Sequence, residues 1–197
     1  MEGTNPVNKK LAAALSGGAV LVLALSGCTS SNGNNDKLNA WAKQVCDSVQ
    51  PAAKKIEAAN AAIQKQTSDN SAPADVQKTD AQAFQDMSDA YRAIGAAIRT
   101  AGAPDVDNGA QKQQNAVKEL NDIATSYATL QAQVGKLDIK DQAKFADGLK
   151  GIATSLDNLS QSGNDALKTL EEGDVGKAMS KQASCKSSPA SAPATAS

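Results

Sequence analysis

Histidine is missing from this chain of 197 residues. That removes the side chain that most often serves as an acid, base or metal ligand near neutral pH, and it disfavours most common hydrolase designs. Aromatic residues make up only 3%, and 20 basic against 21 acidic side chains leave a formal net charge of -1. An excess of positive charge for nucleic acid is therefore lacking. Strand signals are lacking too, since no hairpin dipeptide sits between alternating runs of Val, Ile or Thr. There is no GxSxG, no P-loop and no GxGxxG after a strand, so nucleophile-elbow and nucleotide sites have no support. What is abundant is alanine, within a hydrophobic content of 41%. Alanine favours helices by propensity but adds little apolar volume, so one domain with a thin, closely packed core is expected.

Cysteine is scarce, and its three positions are informative. Cys28 ends the stretch LVLALSGC, which follows Lys9, Lys10 and the apolar run Leu11 to Leu25. As a helix that run is about 22 Å long against a hydrocarbon core of roughly 30 Å, which fits a signal-peptide h-region better than a permanent span. Leu25, Ser26, Gly27 and Cys28 closely resemble the lipobox of bacterial lipoproteins, where small residues precede a cysteine that is diacylated before cleavage. The resemblance implies residues 1–27 as signal peptide and Cys28 as the lipid-bearing first residue, with the bilayer as its partner. On the residues alone, the alternative is an ordinary secretory signal with an incidental cysteine. Each buried acyl CH₂ contributes about 0.8 kcal/mol and one chain binds marginally, so two or three chains anchor firmly.

Thr29 to Asp36 is rich in Ser, Asn and Gly, and with Cys28 it reads as a flexible tether over 28–36. Residues 186–197, KSSPASAPATAS, have the Pro, Ala and Ser/Thr bias of a disordered tail that is open to wall association or O-glycosylation. Between them lies the folded body, 37–185. Cys46 and Cys185 stand near its two ends, an even pair in a compartment that permits disulfides. They are expected to be joined, and by loop entropy so long a loop contributes at most on the order of 5 kcal/mol. Two buried free thiols are the alternative. Catalytic thiol chemistry is disfavoured, because no histidine can lower a pKa and no CxxC pair exists.

The body reads as helices. Leu38, Ala42, Val45, Val49, Ala52, Ile56, Ala59 and Ile63 form one stripe, with Trp41 covering one end of the core and Pro51 predicting a kink or restart. Pro73 suits the start of a second helix through Val76, Ala83, Met87, Ala90, Ile94, Ala97 and Ala101, which Gly102 and Pro104 end. Asp105 reads as the N-cap of a third helix carrying Val106, Ala110, Val117, Leu120, Ala124 and Tyr127 to Gly135. A fourth begins near Asp138 or Asp141 and carries Phe145, Leu149, Ile152, Leu156, Leu159, Leu167 and Leu170, with Gly163 as a possible division and Gly173 as its end. Asp174 reads as the cap of a short last helix that returns Cys185 to the first. Short connections favour an all-α, antiparallel up-down four-helix bundle with a short C-terminal helix, closed by one disulfide.

Other candidate sites are weak. Arg92 and Arg99 share a helix face and with Tyr91 could hold an anion, although a solvated, ion-paired rim explains them as well. DVDNG, Asp105 to Gly109, approaches a calcium loop, but its glycine comes one position early and no closing Glu is correctly spaced. SDN, Ser68 to Asn70, lacks the SxxK and KTG that would accompany it. Glu171, Glu172 and Asp174 read as a helix end and cap. No catalytic residue, cofactor or metal site is expected.

Taken together, the lipobox, the tether and the cysteines around an alanine-rich helical body resemble the small secreted lipoproteins of actinobacteria. LSGC with Cys46 and Cys185 carries the match, and WAKQVC, APDVDNG and GDVGKAMSKQASC add to it, across nearly the whole chain. The resemblance implies a lipid-anchored protein on the extracytoplasmic face of the cell membrane, and it brings no activity or ligand residues with it. The function expected is a non-enzymatic binding or envelope-support module with an unidentified envelope partner. Its rivals are a small-ligand carrier with a cleft between helices and an enzyme using carboxylates alone, which would need an inward-facing pair with perturbed pKa values.

Overall fold

The computed structural model describes residues 29–67, 71–162 and 165–186, which form helices and turns with no strand among them. Residues 1–27, read above as a signal peptide, Cys28, the SDN tripeptide and the residues from 187 onward lie outside the described residues. In chain order the helices are α1 (Thr29–Thr67), α2 (Pro73–Ala101), α3 (Gly109–Val134), α4 (Gln142–Ser162), α5 (Asp165–Glu171), α6 (Asp174–Ser180) and α7 (Ala183–Lys186). The fold is all-helical, as the periodicity requires.

Of the kink or restart read from Pro51, the restart is absent: Pro51 lies inside α1 and is exposed, while Ala52 and Ala53 are buried beside it. Packing on the inner face therefore carries the helix past the missing backbone donor. The stretch Thr29 to Asp36, read from its composition as a tether, is the first part of α1, with Asn34 to Lys37 exposed and burial beginning at Leu38. A turn already formed at Leu38 lets each preceding residue add a hydrogen bond at little further entropy cost, which is how such a polar stretch joins a helix.

The other boundaries follow local chemistry. Pro73 sits in the first turn of α2, where its absent N–H is no loss, and Gly102 ends that helix at φ 76°. Asp105 is not the cap of α3. The helix starts at Gly109 after Asn108 in the left-handed region at φ 57°, and Ala110 is exposed. A Cβ at Gly109 would lie 2.0 Å from the Pro104 carbonyl oxygen, so this close approach sets where the helix can begin. Asp141 is the capping aspartate of α4, accepting the Lys144 N–H at 3.1 Å, whereas Asp138 accepts the Lys140 N–H at 3.0 Å. Residues 163 and 164 between α4 and α5 lie outside the described residues. Gly173, at φ 70°, precedes α6, so Asp174 is a first-turn residue and not the cap.

Helix α2 lies against both α1 and α3, while α4 and α5 pack on α3, and α6 and α7 pack on α1. The core has two clusters. The first joins Leu38, Trp41, Ala42 and Val45 of α1 to Ile98 of α2, Ala116, Val117 and Leu120 of α3, Leu170 of α5, and Val175 and Ala178 of α6. The second joins Ala59 to Ala83, Phe84, Met87, Leu130, Val134 and Ile152. Between them Tyr91 and Tyr127 stack with ring centroids 5.5 Å apart and planes 9° from parallel. Beside the stack, buried Ser88 donates to the Ala124 carbonyl at 2.8 Å.

Candidate functional site

The residues that the structure draws together most closely are those around the C-terminal clasp. Cys46, on the buried face of α1, is bonded to Cys185 of α7, with the two Cα atoms 5.1 Å apart. The next residue on each side adds a polar contact, since the Ser184 hydroxyl donates to the Asp47 carboxylate. Lys43, one turn earlier, donates to the other oxygen of Asp47 at 2.5 Å. These hydrogen bonds hold the Asp47 carboxyl below the ordinary aspartate range, Lys43 contributing most and Ser184 next. Nearer the start of α1, the Trp41 indole N–H donates to the Gly102 carbonyl at 2.8 Å, and Lys37 meets Asp105 at 3.8 Å.

The weaker candidates are separated by the fold. Arg92 is exposed and lies 3.8 Å from Asp89. Tyr91 turns inward onto Tyr127, and so does not join the arginines in an anion site. Arg99 borders an open groove of about 360 Å³ at the α2–α3 seam, with Gln113, Gln114, Val117, Lys118, Asn121 and Asp122. Gln113 is already committed, donating to the Ile98 carbonyl at 2.9 Å, and Lys118 pairs with Asp122 at 2.6 Å. A second open groove, about 420 Å³, runs along the α3–α4 seam beside Leu137, Gly148 and Ile152.

Acidic residues do not converge either. Asp105 pairs with Lys37, and Asp174 with Lys177 at 2.9 Å, while Glu171 and Glu172 are exposed. Among the described residues no group of three or more Cys, Asp or Glu is placed to hold a metal ion. Asp80 is the carboxylate that the periodicity missed. It is 8% exposed on the inner side of α2, and burial pushes its carboxyl above the ordinary range.

Sequence reasoning also missed the groups that join the helices. Gln77 donates to the carbonyls of Val134 and Leu137, both at 3.0 Å, and so stitches the start of α2 to the end of α3. Desolvation, with Tyr91 as a second cause, pushes the Tyr127 hydroxyl up to about 12. A glutamine or tyrosine on a helix carries no mark of the carbonyl or ring it will meet. Comparison with known proteins finds no match to this chain among family models, curated proteins or solved structures.

Proposed function

We propose that the protein is a non-enzymatic lipoprotein, anchored by Cys28 on the extracytoplasmic face of the cell membrane, whose helical body serves as a binding or support module of the envelope. The observation that carries this reading is the Cys46–Cys185 bond, taken with the basic start, short apolar run and LSGC of the first 28 residues. Disulfides persist in oxidising compartments, where a lipobox would deliver the body.

In this reading α1 to α4 form an antiparallel up-down four-helix bundle, with α5 to α7 as its clasp. Support comes from the cross-helix hydrogen bonds. Trp41, early in α1, reaches Gly102 after α2, while Gln66, late in α1, reaches Thr79, early in α2. Gln113, early in α3, reaches Ile98, late in α2. The carrier alternative ranks second because the two grooves described are open and lie on outer seams.

Expression of the full chain and its Cys28→Ala variant in a lipoprotein-processing bacterium tests the proposal by detergent phase partition and intact mass. The native protein should enter the detergent phase with the mass of an acylated chain beginning at Cys28. The variant should be released or left uncleaved. Equal partition and unacylated mass for both would overturn the lipoprotein reading, and a small molecule retained in native mass spectra would promote the carrier.

A further inference from the structure

We infer that the anchored body meets the lipid headgroups with its disulfide-closed pole and presents the opposite pole, the turns joining α1 to α2 and α3 to α4, outward. This inference rests on the lipoprotein reading and adds to it an orientation and a lipid-facing surface.

Burial along α1 begins at Leu38, and the helical stretch from Thr29 to that point spans about 13 Å. From Leu38 to Thr67 the same helix runs a further distance of about 43 Å. Even fully stretched, the connection to residue 29 reaches only about 33 Å, too little to turn the body end over end. Four groups therefore share the near pole: the start of α1, the Gly102 to Asn108 turn held by Trp41, α6, and α7 with its cysteine.

That pole is polar and acidic, which keeps it out of the hydrocarbon and leaves its position to the anchor. Asp36, Lys37, Asp105, Asp107 and Asn108 are exposed there, and Lys37 and Asp105 are already paired. No described helix is long and apolar enough to cross a membrane. Among the described residues the exposed large hydrophobic side chain is Ile139, 40% accessible, and it lies on the far pole between α3 and α4. An apolar wedge that could pull the body into the bilayer is thus placed at the end turned away from it, and the acyl chains alone hold the protein.

The single tryptophan makes the orientation measurable. The lipidated full chain is reconstituted into phosphatidylethanolamine–phosphatidylglycerol vesicles containing a dansyl-headgroup lipid, and energy transfer from Trp41 is read. In a Trp41→Phe background, donors are then placed at the near pole by Asp107→Trp and at the far pole by Ile139→Trp. With the poles separated by about 40 Å, transfer from the near-pole donor should exceed that from the far-pole donor by about fivefold or more. Equal or greater transfer from the far pole would overturn the orientation, as would negligible transfer from native Trp41. Vesicle flotation is scored separately. Failure of the native chain to float overturns the lipoprotein reading itself, whereas flotation with the wrong transfer pattern overturns the orientation alone. Circular dichroism of each variant establishes that the helices persist, and the native Trp41 signal keeps the inference falsifiable if the Trp41→Phe background does not fold.

Discussion

The two halves of the core are built on the same three long helices but closed in different ways. In the half around the disulfide, α5 packs on α3 and α6 on α1, each a 7-residue helix, contributing Leu170, Val175 and Ala178. In the other half α4, a 21-residue helix, packs on α3, and its Ile152 joins Phe84, Met87 and Val134. Helices of two turns are marginal in water, because nucleation is unfavourable and few bonds follow to offset it. The half closed by the short helices accordingly carries the covalent bond and the Ser184–Asp47 contact. The other half relies on side-chain volume and on Gln77, which bridges α2 to the end of α3. The difference teaches that the cross-link sits where local helix stability is lowest.

The largest test of that contrast is to remove the cross-link. Replacing Cys46 and Cys185 together by Ser should cost up to about 5 kcal/mol by loop entropy, and hydrogen exchange should show residues 165–186 losing protection before 142–159. Simultaneous loss in both halves would make the body one cooperative unit and dissolve the contrast. Ile152→Ala attacks the other half. It removes a side chain only 5% exposed and should cost about 2–5 kcal/mol, with exchange rising first in α4 and the end of α3.

Alkali addresses the seam between the halves. The Tyr127 hydroxyl, raised to about 12 from an ordinary 10.0, favours the folded state most fully below about pH 10, and that advantage is lost as the pH climbs towards 12. Tyrosinate absorbance should appear late, on the order of 2 kcal/mol being lost together with the near-ultraviolet dichroism of the stacked pair. Tyrosines that ionised near 10 with the dichroism intact would refute the stack as a seam. The smallest effect is acid at the clasp. Because the Asp47 carboxyl is lowered, its contribution is present above the ordinary 3.8 and lost as the pH falls through the lowered value. Residues 183–186 should then gain exchange ahead of the rest, a response that Asp47→Asn abolishes.

Much of this fold was legible because its punctuation is local. Pro73, Gly102, Asp141 and Gly173 mark helix ends through dihedral freedom, a missing donor or a side-chain cap, all properties of the residue itself. The cysteine pair was legible from parity, once Cys28 was set aside for the lipobox that its neighbours resemble. Asp105 misled because a capping side chain is only one requirement. Gly109, pressed on the Pro104 carbonyl, fixes the start of α3 four residues later. At Pro51 the helix does not restart, because the buried alanines beside it outweigh a local defect. In the candidate site, the contact of Asp47 with Ser184 spans 137 positions, and no spacing rule reaches so far. The inward turn of Tyr91 was hidden for the same reason, since its partner lies on another helix.

One consequence follows from where the backbone enters and leaves. The chain comes into the body at Leu38, and Lys186 departs beside the cysteine that clips α7 to α1 about 12 Å along the same helix. A host protein's surface loop can therefore receive residues 37–186 as an inserted cassette, its two splice points only a short span apart and the sulfur bridge sealing the graft.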